Sequence, residues 1–367
     1  RDSSTSRGLG DVYKRQEQWS PELLAILMQG TLTSPFITSN VRWLDAKTFH
    51  FTQMSVSGYK NHKRSGGWNT GEYNQKDVPY TVTHDRDVQF MVDKADVDET
   101  NQTASMQNIS RIFEQTQAVP ETDALFFSKV AQAAQNTELY HSETSATEYT
   151  TENVFAKLKA ILAAGKLRRY KANGSLIMYV SSDIMDKLEM SKEFTRKIEM
   201  TQIAEGGLGI ETRVTDIDGV TLMEVVDDER FYDRFDWDVA EGGFAPLKSK
   251  YAITTDTDVA EGKTYYTKSD STYTVVAKPT KTNIGTYYEK TVQGSRKINV
   301  LVACGQTCKT VPKISSIYFF APGAHTEGDG YLYQNRQLSD TFVFPNGKDG
   351  KVDSVFVDVD PAEEIAE

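Results

Sequence analysis

Between Thr48 and Val92 the chain alternates apolar and polar residues in separate strand-length pieces. Thr48-Phe49-His50-Phe51-Thr52-Gln53 is the first, and Val78 to His84 and Val88 to Val92 are the returning ones. Alternation with a period of two is the signature of a half-buried strand. Between the first piece and the return lies a polar excursion from Ser57 to Asn69, rich in Gly, Lys, Asn and single aromatics. A small core does not need a polar ribbon this long. A ribbon laid across a neighbouring subunit does.

Composition narrows the class. The chain has 367 residues, 38% of them hydrophobic and 11% aromatic, enough for a folded protein of one large or two ordinary domains. No apolar run approaches the roughly 20 residues of a membrane span, so no membrane partner is expected. No apolar h-region follows a basic N-terminus, so a cytoplasm-like compartment, or an assembly built there, is expected; Cys304 and Cys308 are too few for a disulfide framework. The net charge of −11 opposes phosphate over the whole surface. It does not oppose a container whose inner wall holds DNA by confinement.

Residues 1–16 have no useful periodicity and resemble translated sequencing-adaptor read-through. They are expected to be a non-native, disordered leader, which leaves the true start of the protein unread. Ser20-Pro21 then caps a short predicted helix to Leu27. The acidic run Asp93–Glu99 leads into a helical pattern through Met106, Ile109, Ile112 and Phe113, with a break or kink expected at Pro120. Further helices are predicted from Val154 to a stop at Gly165, and from Asp183 to about Met200. Leu176-Ile177-Met178-Tyr179-Val180 between them reads as a buried strand. Strands are predicted on either side of the turn Asp216–Gly219, and again over Ile298–Ala303 and Ile314–Phe320. Residues 248–292 are rich in Thr, Tyr and Lys and read as a small all-β module set into a loop. Strands thus flank helices, and the predicted class is α+β.

No residue constellation points to catalysis or to a cofactor. His50, His62, His84, His141 and His325 are scattered, without a ligand spacing. Cys304 and Cys308 form a lone pair where zinc would need two further ligands. Asp93, Asp96, Asp98 and Glu99 lack the glycine and terminal Glu of a calcium loop, and suit a helix N-terminus instead. Gly206-Gly207-Leu208-Gly209 has no following Lys-Ser/Thr and reads as a turn. The expectation is a structural protein, not an enzyme, with no metal.

In their order along the chain, these features resemble the major capsid proteins of tailed bacteriophages (Caudoviricetes) with the Hong Kong 97-type fold. The features are the ribbon, Asp96–Thr100 opening a long helix, Pro120–Ala131, Leu176–Ser181 with the helix after it, and Asp329-Gly330, Arg336 and Asp340–Phe344. The resemblance implies an N-terminal arm over residues 17–47 and an extended β-hairpin loop over 48–92. It implies the spine helix and peripheral domain over 93–140, and the axial domain with connecting strands over 141–247. The inserted β-module occupies 248–292, and return strands of the axial and peripheral domains occupy 293–367. It further implies a subunit that forms pentamers and hexamers of an icosahedral head. That head would be built in the bacterial host cytoplasm around double-stranded DNA, with scaffolding, portal and decoration proteins as partners.

In such shells the loop ties neighbours together, which assigns subunit contacts to Tyr59, Lys60, His62, Lys63, Arg64, Trp68 and Tyr73. Trp, Tyr and Arg are the types enriched at interface hot spots. Some relatives cross-link a loop lysine to a neighbour's asparagine, but no motif here fixes an acceptor for Lys60 or Lys63. In the module, Tyr265, Tyr266, Tyr273, Tyr287 and Tyr288 read either as a small core or as an exterior patch. The alternatives are an encapsulin-like shell around protein cargo and a phage adhesin or carbohydrate-binding protein.

Overall fold

The computed structural model describes residues 31–38, 41, 43–45, 47–62, 66, 68–94, 106–173, 176–191, 199–202, 211–269, 272–345 and 352–363. The leader 1–16, the helix expected after Ser20, the helix start at Asp96–Thr100 and the Gly206–Gly209 turn lie outside the described residues, as do Lys63 and Arg64.

The first strands are β1 (Thr48–Val56), β2 (Tyr73–Thr81) and β3 (His84–Asp93). A helical stretch follows as α1 (Met106–Phe113), a π-helical turn (Glu114–Ala118) and α2 (Val119–Gln135). Then come β4 (His141–Glu143), α3 (Val154–Ala163), a 3-10 segment (Ala164–Asn173), β5 (Leu176–Ser181) and α4 (Ser182–Glu189). The strands β6 (Glu199–Gln202), β7 (Glu211–Ile217) and β8 (Val220–Val225) complete this region. The remaining strands are β9 (Phe235–Asp236), β10 (Ala245–Pro246), β11 (Lys250–Ile253), β12 (Tyr266–Ser269), β13 (Thr272–Val275), β14 (Tyr288–Val292), β15 (Arg296–Cys304), β16 (Cys308–Phe320), β17 (Gly330–Val343) and β18 (Phe356–Glu363). The class is α+β.

A mixed sheet in the order β4-β18-β15-β5-β8-β7-β6 forms the centre. Its middle strands carry unbroken apolar runs, Leu176–Val180 and Val300–Cys304, because both faces are covered there. Met178, Val180, Val300 and Val302 face α3 and α4, in a core with Leu158, Leu162 and Ile184. Tyr179, Leu301 and Ala303 face the other way, toward Phe126, Phe127 and Val130 of α2. The predicted strand at Leu176–Val180 is β5. The turn between β7 and β8 puts Asp218 at φ 53° and Gly219 at φ 73°, the left-handed pair that a two-residue hairpin requires.

A second sheet, β16-β17-β3, lies beside the long helix. Here the structure departs from the expected ribbon. Residues 84–92 do not belong to the hairpin, because β3 pairs with β17 from Asp93 opposite Gly330 to His84 opposite Ser339. Val82 is fully buried, and the Thr83 amide and hydroxyl both donate to Asp340, at 3.1 and 2.8 Å. These contacts turn the chain out of the hairpin and into the sheet.

Of the break or kink expected at Pro120, the long helix shows an irregular turn just before it and no break. The π-helical turn before it absorbs the missing donor, and the Val119 amide bonds the Glu114 carbonyl five residues back. The helix after Val154 ends at Ala163 but passes through Gly165 into the 3-10 segment. The α4 helix ends at Glu189, and Met200 sits in β6 opposite Arg213, because backbone pairing with β7 recruits that segment.

Two buried acids mark the packing of α2 and the π-helical turn. Asp123 accepts from the Leu32 and Thr33 amides, the Thr33 hydroxyl and the Arg230 guanidinium, which stands 2.9 Å away. Both side chains are fully buried. Glu114 is buried against β17 and accepts from the Asn335 amide at 2.9 Å. Burial with only this neutral donor pushes the Glu114 carboxyl up to about 7. A carboxyl raised this way favours folding below its ordinary value of 4.5, and that contribution is lost as pH climbs through about 7. The loss is on the order of 3 kcal/mol. Glu114→Gln is therefore expected to remove this contribution from the fall in subunit stability that the parent shows between about pH 5 and about pH 8. Urea unfolding across that range checks this, and an unchanged slope in the variant would refute it.

Candidate subunit interface

The hairpin begins as an ordinary antiparallel pair, with Thr48 opposite Thr81 and Val56 opposite Tyr73. Nine paired residues at about 3.3 Å each carry it about 30 Å from its base. Among the described residues no third strand joins either edge. Along β2 the exposed positions run unbroken from Tyr73 to Asp77, and only near the base does burial alternate. Pro79 in β2 withholds a donor along the strand, a feature of edge strands.

The base is held by aromatic rings from three chain segments. Phe49 is buried, 5.1 Å from the Phe342 ring and 5.6 Å from Trp43, both edge-on. Tyr80 meets Phe344 edge-on at 5.1 Å, and Phe51 stacks flat on Phe344 at 4.1 Å. The Lys313 ammonium caps Trp43 at 3.9 Å. Sequence reasoning missed this anchor. Its signal was present in the matching alternations Phe49/Phe51 and Phe342/Phe344, each of which puts two rings on one face of a strand.

The tip is closed by its own polar groups. The Ser57 amide donates to the Glu72 carbonyl, and the Glu72 amide to the Ser57 hydroxyl. The Lys60 ammonium donates to the Thr70 carbonyl at 3.1 Å, and the Asn69 amide to the Asn61 carbonyl at 2.9 Å. His62 and Trp68 sit with ring centres 6.5 Å apart. These bonds hold the tip in shape but bury none of its rings. Tyr59 and Trp68 are essentially fully exposed, at 110% and 96%, and Tyr73 and Val56 are exposed too. Of the expected contact residues, the structure thus brings Tyr59, Lys60, His62, Trp68 and Tyr73 together on one projection. Its large apolar surfaces have no partner among the described residues.

The tyrosines of residues 248–292 divide. Tyr265 and Tyr287 are buried in a cluster with Ile284, so they do not belong to an exterior patch. Tyr266, Tyr273 and Tyr288 are half-buried on the opposite side of the four-stranded sheet β11-β14-β12-β13. The ends of this segment are clasped, with the Ser295 amide donating to the Leu247 carbonyl at 2.7 Å.

Of the groups weighed for chemistry, Cys304, Cys308 and His84 are occupied in packing. Cys304 and Cys308 are buried and not joined in a disulfide, and burial pushes Cys308 up to about 12. His84 bonds Glu121 at 3.0 Å, and Arg86 donates to the same carboxylate at 2.8 Å. A cavity near Gln135, Arg234 and Arg296 is lined by amides and guanidinium groups together with His141 and Glu143, and Arg296 is tied to Glu143 and Asp233. Among the described residues, no group of three or more His, Cys, Asp and Glu could hold a metal ion. No helix among them is long and apolar enough to cross a membrane.

No family model and no curated protein matches the chain. Solved shell structures are similar to it over most of their length. The capsid of the cyanophage P-SCSP1u covers 91% of this chain and 89% of its own, at 12% identity and a TM-score of 0.48. The mature capsid of bacteriophage PhiM1 covers 87% and 83%, at 12% and 0.47. The SrpI encapsulin of Synechococcus elongatus PCC 7942 covers 87% and 85%, at 8% and 0.44. These likenesses by themselves assign no function to the chain.

Proposed function

We propose that this chain is a shell subunit, the major capsid protein of a tailed phage with the Hong Kong 97-type fold. It self-assembles into pentamers and hexamers around double-stranded DNA. The observation that carries this reading is the hairpin, fixed by buried rings at its base and presenting unburied Tyr59, Trp68 and Tyr73 about 30 Å away. Such a projection is stable only as a mobile appendage or as a strap on another subunit. The hydrogen-bonded tip and the clustered Trp and Tyr favour the strap. The acidic net charge of −11 suits enclosure of DNA by confinement, without tight grip on phosphate. Scaffolding, portal and decoration proteins are the further partners of this reading, with assembly in the host cytoplasm and residence in the virion. No catalytic step is assigned.

Electron microscopy of the chain expressed from residue 17 onward tests the proposal. Closed or tubular shells with five- and six-fold units are the expected result. A compact monomer at high concentration would refute it, and shells that purify with a specific protein cargo would move the assignment to an encapsulin-like container.

A further inference from the structure

The stretch from Val154 to Asn173 holds six Lys and Arg and no Asp or Glu, in a chain whose net charge is −11. It comprises α3 and the 3-10 segment after it. A 3-10 helix has three residues per turn, so side chains three apart share one row. Leu167 and Tyr170 form one row, buried in the core with Leu158, Leu162 and Met178. That row fixes the segment. Arg168 and Lys171 fall on an adjacent row, both exposed and about 6 Å apart along the axis.

These cations gather at the β7–β8 turn. The Asp218 carboxylate lies 3.3 Å from the Lys159 ammonium and 3.1 Å from the Arg168 guanidinium. Lys171 lies across the same turn, its ammonium 3.1 Å from the point where a side chain on Gly219 would begin. Three cations therefore surround one carboxylate. Arg169, beside them, is paired with Asp353. Among the described residues Lys171 makes no ion pair, and neither does Asp216, the nearest other acid along β7. Within α3, the 3-10 segment and the β7–β8 turn, no large apolar side chain among the described residues is exposed.

We infer that this ridge is the surface of the subunit that meets duplex DNA, through its phosphates. Duplex DNA carries one negative charge per ~1.7 Å of its axis, so cations about 6 Å apart on a fixed backbone reach several phosphates at once. Contact with phosphate needs no apolar anchor. A protein partner draws most of its energy from a few buried anchors such as Trp and Tyr, which this face does not offer. The inference rests on the proposed enclosure of DNA and names the face turned toward it. It is tested on unassembled subunits, so its failure leaves shell formation standing.

The test is fluorescence anisotropy of a short labelled duplex with the full chain, at salt from about 25 to about 200 mM. Weak binding is expected at the low end and near-complete loss at the high end, because the net charge opposes phosphate. Arg168→Ala/Lys171→Ala is expected to weaken binding about tenfold and to reduce the salt slope by about 2. Lys76→Ala/Lys250→Ala makes the same change in net charge at exposed positions elsewhere, and is expected to alter binding by less than about twofold. Asp218→Asn removes the carboxylate at the centre of the ridge, and Asn suits the φ of 53° at that position. It is expected to tighten binding about threefold, a gain that loss of fold would not give. No binding by the parent at about 25 mM salt, equal losses in the two double variants, or unchanged affinity in Asp218→Asn would overturn the inference. Poly-glutamate that binds as tightly as the duplex would overturn it in favour of an acidic protein partner.

Discussion

Replacing Ser57–Glu72 with an Asn-Gly turn is expected to leave a folded subunit that no longer assembles. Val56 and Tyr73 are directly opposed, so a two-residue turn closes the shortened hairpin without a register shift. The described residues among those removed contribute nothing to the core. Among them Tyr59 and Trp68 are exposed, and the tip's hydrogen bonds run within the tip. Stability of the isolated subunit should change by no more than about 0.5 kcal/mol. Assembly should be lost because the rings that would bury on a neighbour are gone, and a few such residues carry most of an interface's energy. Urea unfolding and light scattering on the same preparation separate the two effects. Shells of normal yield from the shortened chain would show that the hairpin is not the strap.

Asp123→Ala and Arg230→Met are each expected to destabilise the subunit by about 3–5 kcal/mol. Each variant strands its partner in a site with no exposure to water. Burial pushes the Asp123 carboxyl up, against the pull of Arg230 and of the Thr33 and Leu32 donors, so the charge depends on those partners. Asp123→Ala also frees the two amides and the hydroxyl that tie residues 31–38 to α2. That segment packs Phe36 on Phe126 at 4.6 Å and gives the Leu32 carbonyl to the Tyr179 hydroxyl, so the loss spreads into the central core. The double variant Asp123→Leu/Arg230→Met should recover much of the loss, since a buried pair replaced by apolar groups is often neutral. Denaturant unfolding of the three variants decides it, and single variants within about 1 kcal/mol of the parent would show that the pair is dispensable.

Much of this protein was legible because periodicity reports what a local segment buries. The unbroken apolar run of β5 announced a strand covered on both faces, and Met178 and Tyr179 do pack into different cores. Gly219 announced the β7–β8 turn, since two successive left-handed residues leave few alternatives. The polar excursion from Ser57 to Asn69 announced a projection. What periodicity does not report is the partner. Alternation in β3 set its two faces but not its pairing with β17, which depends on residues some 250 positions away. For the same reason the Phe49–Phe342 anchor appeared only in three dimensions. Pro120 signalled a missing donor, and the tertiary packing of Glu114 and Asn335 chose a π-helical turn over a break. The doublets Tyr265-Tyr266 and Tyr287-Tyr288 show the division most simply. A strand sends neighbouring side chains to opposite faces, so the sequence alone required one ring of each pair inside and one outside. Which ring went inside was decided by the side on which Ile284 closed the core.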